Sequence, residues 1–263
     1  MSRVSLAGWS LVRRFQREQQ PLSLLEFPRV AWEEFGIDQI ELNEPFFERQ
    51  DNVYLNRLRA AANSYGVRML NIAIDRQGDL GAPDRLERMR AVANHTRWFE
   101  IAAALGCNAI RANMGGHHDP DVSGRIERLI DSFGRLAEVG GQIGVKILIE
   151  NHGGVSADPD HILRVIRAVS SPWIGTLPDF GNFPPEVDRY RALEKLAPHA
   201  AAVHVKVFEF DASGNDPNID IPRCIQIMEQ AGYTGAYGIE IGRGLDDHEG
   251  VLKTKALIER FLI

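Results

Sequence analysis

Five times along this chain an amphipathic, helix-like run stops at a glycine and an apolar, strand-like run begins close behind. The junctions are Glu34-Phe35-Gly36-Ile37, Ser64-Tyr65-Gly66-Val67, Ala104-Leu105-Gly106-Cys107, Gln142-Ile143-Gly144-Val145 and Gln230-Ala231-Gly232-Tyr233. Glycine enters the left-handed conformation that closes a helix without the steric cost of a Cβ, so each junction reads as a helix C-cap leading into a strand. Helix starts are marked as well. Asp158-Pro159 places a capping carboxylate before a proline at the first helical position, and Pro222 opens another helix.

The apolar runs give eight strand candidates: Val4–Gly8, Ile37–Leu42, Val67–Ile72, Ala109–Met114, Val145–Glu150, Ile174–Asp179, Ala201–Val207 and Ala236–Ile241. They lie about one βα unit apart with helical patterns between them. Regular β-then-α alternation predicts a parallel sheet with right-handed crossovers. Eight units in 263 residues fit an α/β chain folded as a (β/α)8 TIM barrel, one domain over residues 1–263. An open Rossmann-like sheet ranks second, because Gly8-Trp9-Ser10 after the first strand lacks the glycine-rich phosphate loop.

Composition narrows the function classes. Hydrophobic residues make up 44% and charged residues 25%, as in ordinary globular chains, and the net charge of −6 gives no reason to expect a nucleic-acid partner. No stretch approaches the roughly 18 apolar residues of a membrane span, and Met1–Leu6 has no leader-like apolar core. The expectation is a cytoplasmic protein without a membrane partner. Cys107 and Cys224, far apart in sequence, read as free buried thiols.

The functional side chains of such a barrel sit at the C-terminal ends of its strands. Val145-Lys-Ile-Leu-Ile-Glu-Asn-His152 runs from an apolar strand straight into polar residues, and alternation puts Lys146, Leu148, Glu150 and His152 on one face. A buried carboxylate at a strand end is costly unless a metal, a cation or hydrogen bonds compensate it, and an Arg or Lys partner alone would suffice for Glu150. The pattern then recurs. The sixth strand ends at Asp179, the seventh points His204 and Lys206 inward, and the eighth ends at Glu240. Three carboxylates on one rim would repel one another without a cation, and a divalent metal bound by three oxygens and one imidazole nitrogen solves this simply.

Ile149-Glu150-Asn-His, Pro178-Asp179-Phe-Gly-Asn182, Val203-His204-Val-Lys206 and Gly238-Ile-Glu240 together resemble the xylose-isomerase-like superfamily, which includes sugar isomerases, ketose 3-epimerases, inosose dehydratases and endonuclease IV. The N-terminal half matches only in its βα rhythm and in Ile40-Glu41-Leu42. The resemblance implies that Glu150, Asp179, His204 and Glu240 hold one divalent metal, Mn²⁺ first, with Mg²⁺, Co²⁺ or Zn²⁺ as alternatives. It implies a carbohydrate substrate, with Glu150 and Glu240 moving protons on either side of it. The expected reaction is isomerisation or epimerisation of a sugar or keto-sugar through a metal-stabilised enediolate. Elimination from a keto-sugar, keto-inositol or 3-keto-glycoside is the alternative in the same site, and a sugar-binding or structural barrel subunit is the non-enzymatic one. Homo-oligomers and partner-subunit assemblies are both compatible with such a barrel.

Around this set, His152, Lys206 and Asn182 are expected to contact substrate, although Lys206 could instead pair with a ligand carboxylate and His152 could merely orient Glu150. His117-His118 could line the pocket, but adjacent residues point differently and a solvated loop is the expectation. Trp9, Phe46, Phe47 and Phe180 lie just past strand ends, where an aromatic lid or core packing would each fit, and Arg243 is a weak hint of an anion contact. Asn182 departs from many relatives, which place a histidine three residues after the aspartate. An asparagine there cannot carry a proton. The segment Phe208–Asp216 also lacks the Asp-x-His that the trinuclear zinc site of endonuclease IV needs.

Overall fold

The computed structural model describes residues 3–262. Met1 and Ser2 of the leader reading, and Ile263 at the end of the single-domain span, lie outside the described residues.

Eight strands alternate with helices in the expected rhythm. In chain order they are β1 (Val4–Ala7), α1 (Val12–Phe15), α2 (Phe27–Phe35), β2 (Gln39–Asn43), α3 (Asn52–Ser64), β3 (Arg68–Ile74), α4 (Arg85–Leu105), β4 (Ala109–Ala112), α5 (Val122–Ile143), β5 (Lys146–Glu150), α6 (Pro159–Val169), β6 (Ile174–Leu177), α7 (Arg189–Leu196), β7 (Val203–Val207), α8 (Ile221–Gln230), β8 (Tyr237–Ile241) and α9 (Asp247–Glu259). All strand pairs are parallel, and β1 pairs with both β2 and β8. Between β6 and β7 the ladder thins to two bridges, Thr176 with Ala200 and Asp179 with His204. Backbone N–H groups of Ala201 and His204 donate to Thr176 and Pro178, which closes the sheet into a barrel.

The glycine signal has its physical basis in the backbone. Gly36, Gly66, Gly106, Gly144 and Gly232 all have positive φ, and Gly36, Gly106 and Gly144 are themselves the left-handed caps of α2, α4 and α5. Asp158 caps α6 by accepting the Asp160 N–H, with Pro159 in the first turn. Gly140 matters for packing instead. A Cβ there would meet the Val145 carbonyl and the Phe99 ring, so α5 can lie against the start of β5 only because the side chain is missing.

Outward-facing strand residues and the inner stripes of the helices form one continuous core, which includes Ile40, Ile72, Ile110, Ile147, Ile149, Val203, Val205, Val207 and Ile239. Cys107 and Cys224 are both free and buried. Inside the barrel, Ala109, Leu148 and Leu177, with Ala202 against them, make a small separate apolar cluster. Leu148, Leu177 and Ala202 each precede a site residue by two positions. Period-two alternation therefore places this plug directly beneath Glu150, Asp179 and His204. No helix among the described residues is long and apolar enough to cross a membrane.

Candidate metal centre and its pocket

Four strand ends bring Glu150, Asp179, His204 and Glu240 together, with one ligand-type atom from each within 4.8 Å of all the others. All four residues are buried. His204 Nδ1 lies 3.1 Å from Glu240 Oε2, 3.6 Å from Glu150 Oε1 and 3.9 Å from Asp179 Oδ2. Strand register explains the convergence, since Asp179 bridges to His204 across the barrel closure and Lys206 is opposite Glu240 in the β7–β8 ladder.

The donor set suits a divalent metal. His204 Nδ1 and Asp179 Oδ2 are buried and have no hydrogen-bond partner, which is costly for polar atoms unless a cation meets them. The electrostatics agree. Burial, together with Glu240 and Glu150 nearby, lifts Asp179 to about 6 against the pull of Lys206. Burial would also raise Glu150, but the charge of Arg111 and the contact with His204 outweigh it and bring that carboxyl down to about 2. His204 is lifted well above its usual value despite burial, because Glu41, Glu150 and Glu240 surround it. Such a cluster draws positive charge to Nδ1, and a metal ion supplies it as well as a proton does.

The atoms not facing the centre are each held from behind. His204 Nε2 donates to Glu41 Oε2 at 2.9 Å, which fixes the ring so that Nδ1 faces the carboxylates. Glu41 is steadied in turn by the Ser5 hydroxyl at 2.6 Å and the Asn71 amide at 2.7 Å. Asp179 Oδ1 accepts the Gly181 N–H at 2.7 Å. Asn151 clasps the backbone of Asp179 at 2.9 and 2.7 Å, a structural duty for the middle residue of Glu-Asn-His. Glu240 Oε1 meets Lys206 Nζ at 2.5 Å, and Arg111 Nε lies 2.9 Å from Glu150 Oε2.

Glu240 borders a cavity of about 590 Å³, lined also by Trp9, Asp75, Arg111, His152 and Lys206 among others. Of the expected substrate contacts, Lys206 and His152 border it. Lys206 also pairs with carboxylates of the cluster, Asp179 Oδ2 at 3.4 Å as well as Glu240. Asn182 bridges the two halves of the site, accepting from Lys206 at 2.9 Å and donating to Glu150 Oε1 at 3.2 Å. His117 and Arg243 are exposed and line the cavity rim. Among the four aromatics, Trp9 alone borders this cavity, with its edge on Phe46 at 5.0 Å. Phe46 and Phe180 are buried in the core, and Phe47 packs on Trp98.

Sequence reasoning missed the polar interior of the N-terminal half. Ser5, Glu41, Asn71 and Arg111 are buried inside the barrel, and Arg111 links Asp75 to Glu150. The available signal was a polar residue flanked by apolar ones in Gln39-Ile-Glu41-Leu-Asn43 and Ala109-Ile-Arg111-Ala112. Phe208, at the cavity edge just past β7, was also missed as a lining residue.

The chain is 24% identical over 185 residues to L-ribulose-5-phosphate 3-epimerase UlaE of Escherichia coli, a stretch covering 67% of this chain and 65% of that protein. The chain thus spans a little under two thirds of the curated relatives it matches. Among solved structures it resembles an L-ribulose 3-epimerase, with a TM-score of 0.83, 18% identity and coverage of 100% of this chain and 95% of the other. It also resembles the IolI protein with a bound zinc atom, with a TM-score of 0.79, 14% identity and coverage of 100% and 99%. These likenesses show the fold. A family model described as xylose isomerase-like TIM barrel matches residues 30–260, and the chain belongs to that family.

Proposed function

We propose that this protein is a divalent-metal-dependent isomerase or epimerase of a sugar or keto-sugar. The observation that carries the reading is the convergence of Glu150, Asp179, His204 and Glu240 within 4.8 Å, with Glu240 bordering a cavity large enough for a monosaccharide. The sugar epimerases among its relatives support the reaction class. Zinc in the IolI structure supports a metal in this fold, and Mn²⁺ is the ion proposed here, with Mg²⁺, Co²⁺ and Zn²⁺ suited to the same oxygen and nitrogen donors.

A divalent ion at this position would polarise a bound carbonyl and acidify the neighbouring C–H. The chain's own groups do the rest. Glu240 borders the cavity, Glu150 and Glu240 both face His204 Nδ1, and these two carboxylates are assigned to moving the proton. A positioned acid or base contributes about 10²–10⁴-fold to such a step. Lys206 and His152 border the cavity and are assigned to substrate oxygens, and Asn182 orients both Lys206 and Glu150 without carrying a proton.

The test is incubation of Mn²⁺-loaded protein in D₂O with a panel of ketoses, keto-inositols and 3-keto-glycosides. Metal-dependent deuterium uptake with an intact carbon skeleton is expected. An unsaturated product would instead make the protein a lyase, and no exchange into any member would favour a binding subunit. Glu240→Gln should lower exchange by at least about 100-fold; near-normal turnover in that variant would overturn the assignment.

A further inference from the structure

Each of the four converging side chains offers one atom inward and has the other restrained. For three of them the restraint is a neighbouring backbone or side-chain contact: Glu41 on His204, the Gly181 N–H on Asp179 and Lys206 on Glu240. For Glu150 the restraint is a buried guanidinium from the adjacent strand. Arg111 stands on β4, opposite Leu148 in the β4–β5 ladder, and its side chain is only 1% exposed. Asp75 Oδ1 takes its Nη1 at 2.6 Å, and Asn113 Oδ1 accepts from the same nitrogen at 3.2 Å. The guanidinium is therefore fixed before it reaches Glu150. Its Nε–H is not aimed along the line to Oε2, so the 2.9 Å contact acts through charge rather than as a directed hydrogen bond.

A carboxylate can bind a cation through one oxygen or through both. In Glu150, Oε1 faces His204 Nδ1 and Oε2 faces Arg111. A metal site that turns over a substrate has to keep a coordination position open, and a two-oxygen carboxylate would fill it. We propose that Arg111 is a positioning residue that limits Glu150 to one oxygen at the metal and so keeps a coordination position free for the substrate. The inference rests on the proposed metal centre and adds a role for the N-terminal half of the barrel. Asp75 extends that role to the rim, since its Oδ2 accepts the Trp9 indole N–H at 3.2 Å and both residues border the cavity.

Mn²⁺ affinity measured by titration calorimetry, alongside steady-state kinetics on the exchanging ketose, tests this on wild type, Arg111→Met and Arg111→Lys. Arg111→Met should bind Mn²⁺ at least about threefold more tightly, because Glu150 regains its second oxygen and loses a competing cation. Its KM should rise by at least about tenfold, the position a substrate oxygen needs now being filled. Arg111→Lys should fall between the two on both measures. A merely structural role would weaken metal binding and turnover together, and that result, or unchanged Mn²⁺ affinity in Arg111→Met, overturns the proposal. If Arg111→Met does not fold, Arg111→Lys decides by the same comparison with wild type. The two readings fail separately: wild type that binds no Mn²⁺ removes the metal centre itself, whereas wild type that binds it with no shift in the variants removes only the role of Arg111.

Discussion

Glu41 and His204 meet at 2.9 Å inside the barrel, Oε2 to Nε2, although 163 residues separate them in the chain. Both are buried, and this contact decides which ring nitrogen of His204 faces the carboxylates. Outer partners of this kind orient a metal-binding histidine and tune its basicity.

Glu41→Gln keeps the shape and removes the charge. Metal affinity should fall by about 10–100-fold while the far-ultraviolet circular dichroism stays unchanged. Titration of the variant with Mn²⁺ checks this, and an affinity equal to wild type would mean that Nδ1 is directed by packing alone.

Gly238 faces His204 across the β7–β8 ladder, and an added Cβ would collide with Glu41 Oε1 and come within 2.9 Å of His204 Cδ2. The motif Gly238-Ile-Glu240 thus needs its glycine for space. Gly238→Ala should destabilise the protein by about 1–3 kcal/mol through overpacking and weaken metal binding as well. Thermal unfolding with and without Mn²⁺ separates the two effects. A variant as stable as wild type would show that the barrel interior can give way here.

Acid should uncover the helix caps. Asp51, Asp121 and Asp246 cap α3, α5 and α9, and hydrogen bonds from the backbone N–H groups of Tyr54, Gly124 and Glu249 respectively hold their carboxyls below the usual range. A carboxyl depressed on folding stabilises the native state fully above its unfolded value, about 3.9, and that contribution is lost as pH falls through the folded value. The triple variant Asp51→Ala, Asp121→Ala, Asp246→Ala should melt below wild type at pH 5.5, and the gap should shrink steadily toward pH 3. A gap that stays constant across that range would show that the capping charge plays no part.

Much of the cluster was legible because each of its residues lies in or just past a strand that can be recognised by itself. Alternation puts Glu150, His204 and Glu240 inside β5, β7 and β8 and Asp179 just past β6, and the glycine junctions mark where the strands after Gly36, Gly66, Gly106, Gly144 and Gly232 begin. Boundaries moved where local pattern was ambiguous. The second strand runs Gln39–Asn43 rather than Ile37–Leu42, because Ile37 follows directly on the left-handed Gly36 that caps α2 and packs as part of the turn.

The chain by itself determined the barrel, since helix caps and apolar strands are written within a few consecutive residues. It also marked the four inward side chains Glu150, Asp179, His204 and Glu240, because alternation along a strand is a local property. Only the tertiary structure decided what restrains those four side chains. Ser5, Glu41, Asn71, Asp75 and Arg111 sit in strands or strand ends whose partners lie tens to hundreds of residues away, and their contacts exist only once the sheet closes in one register. A polar residue in a strand announces that it needs a partner, but the register of a closed barrel, set by every strand at once, decides which partner it meets.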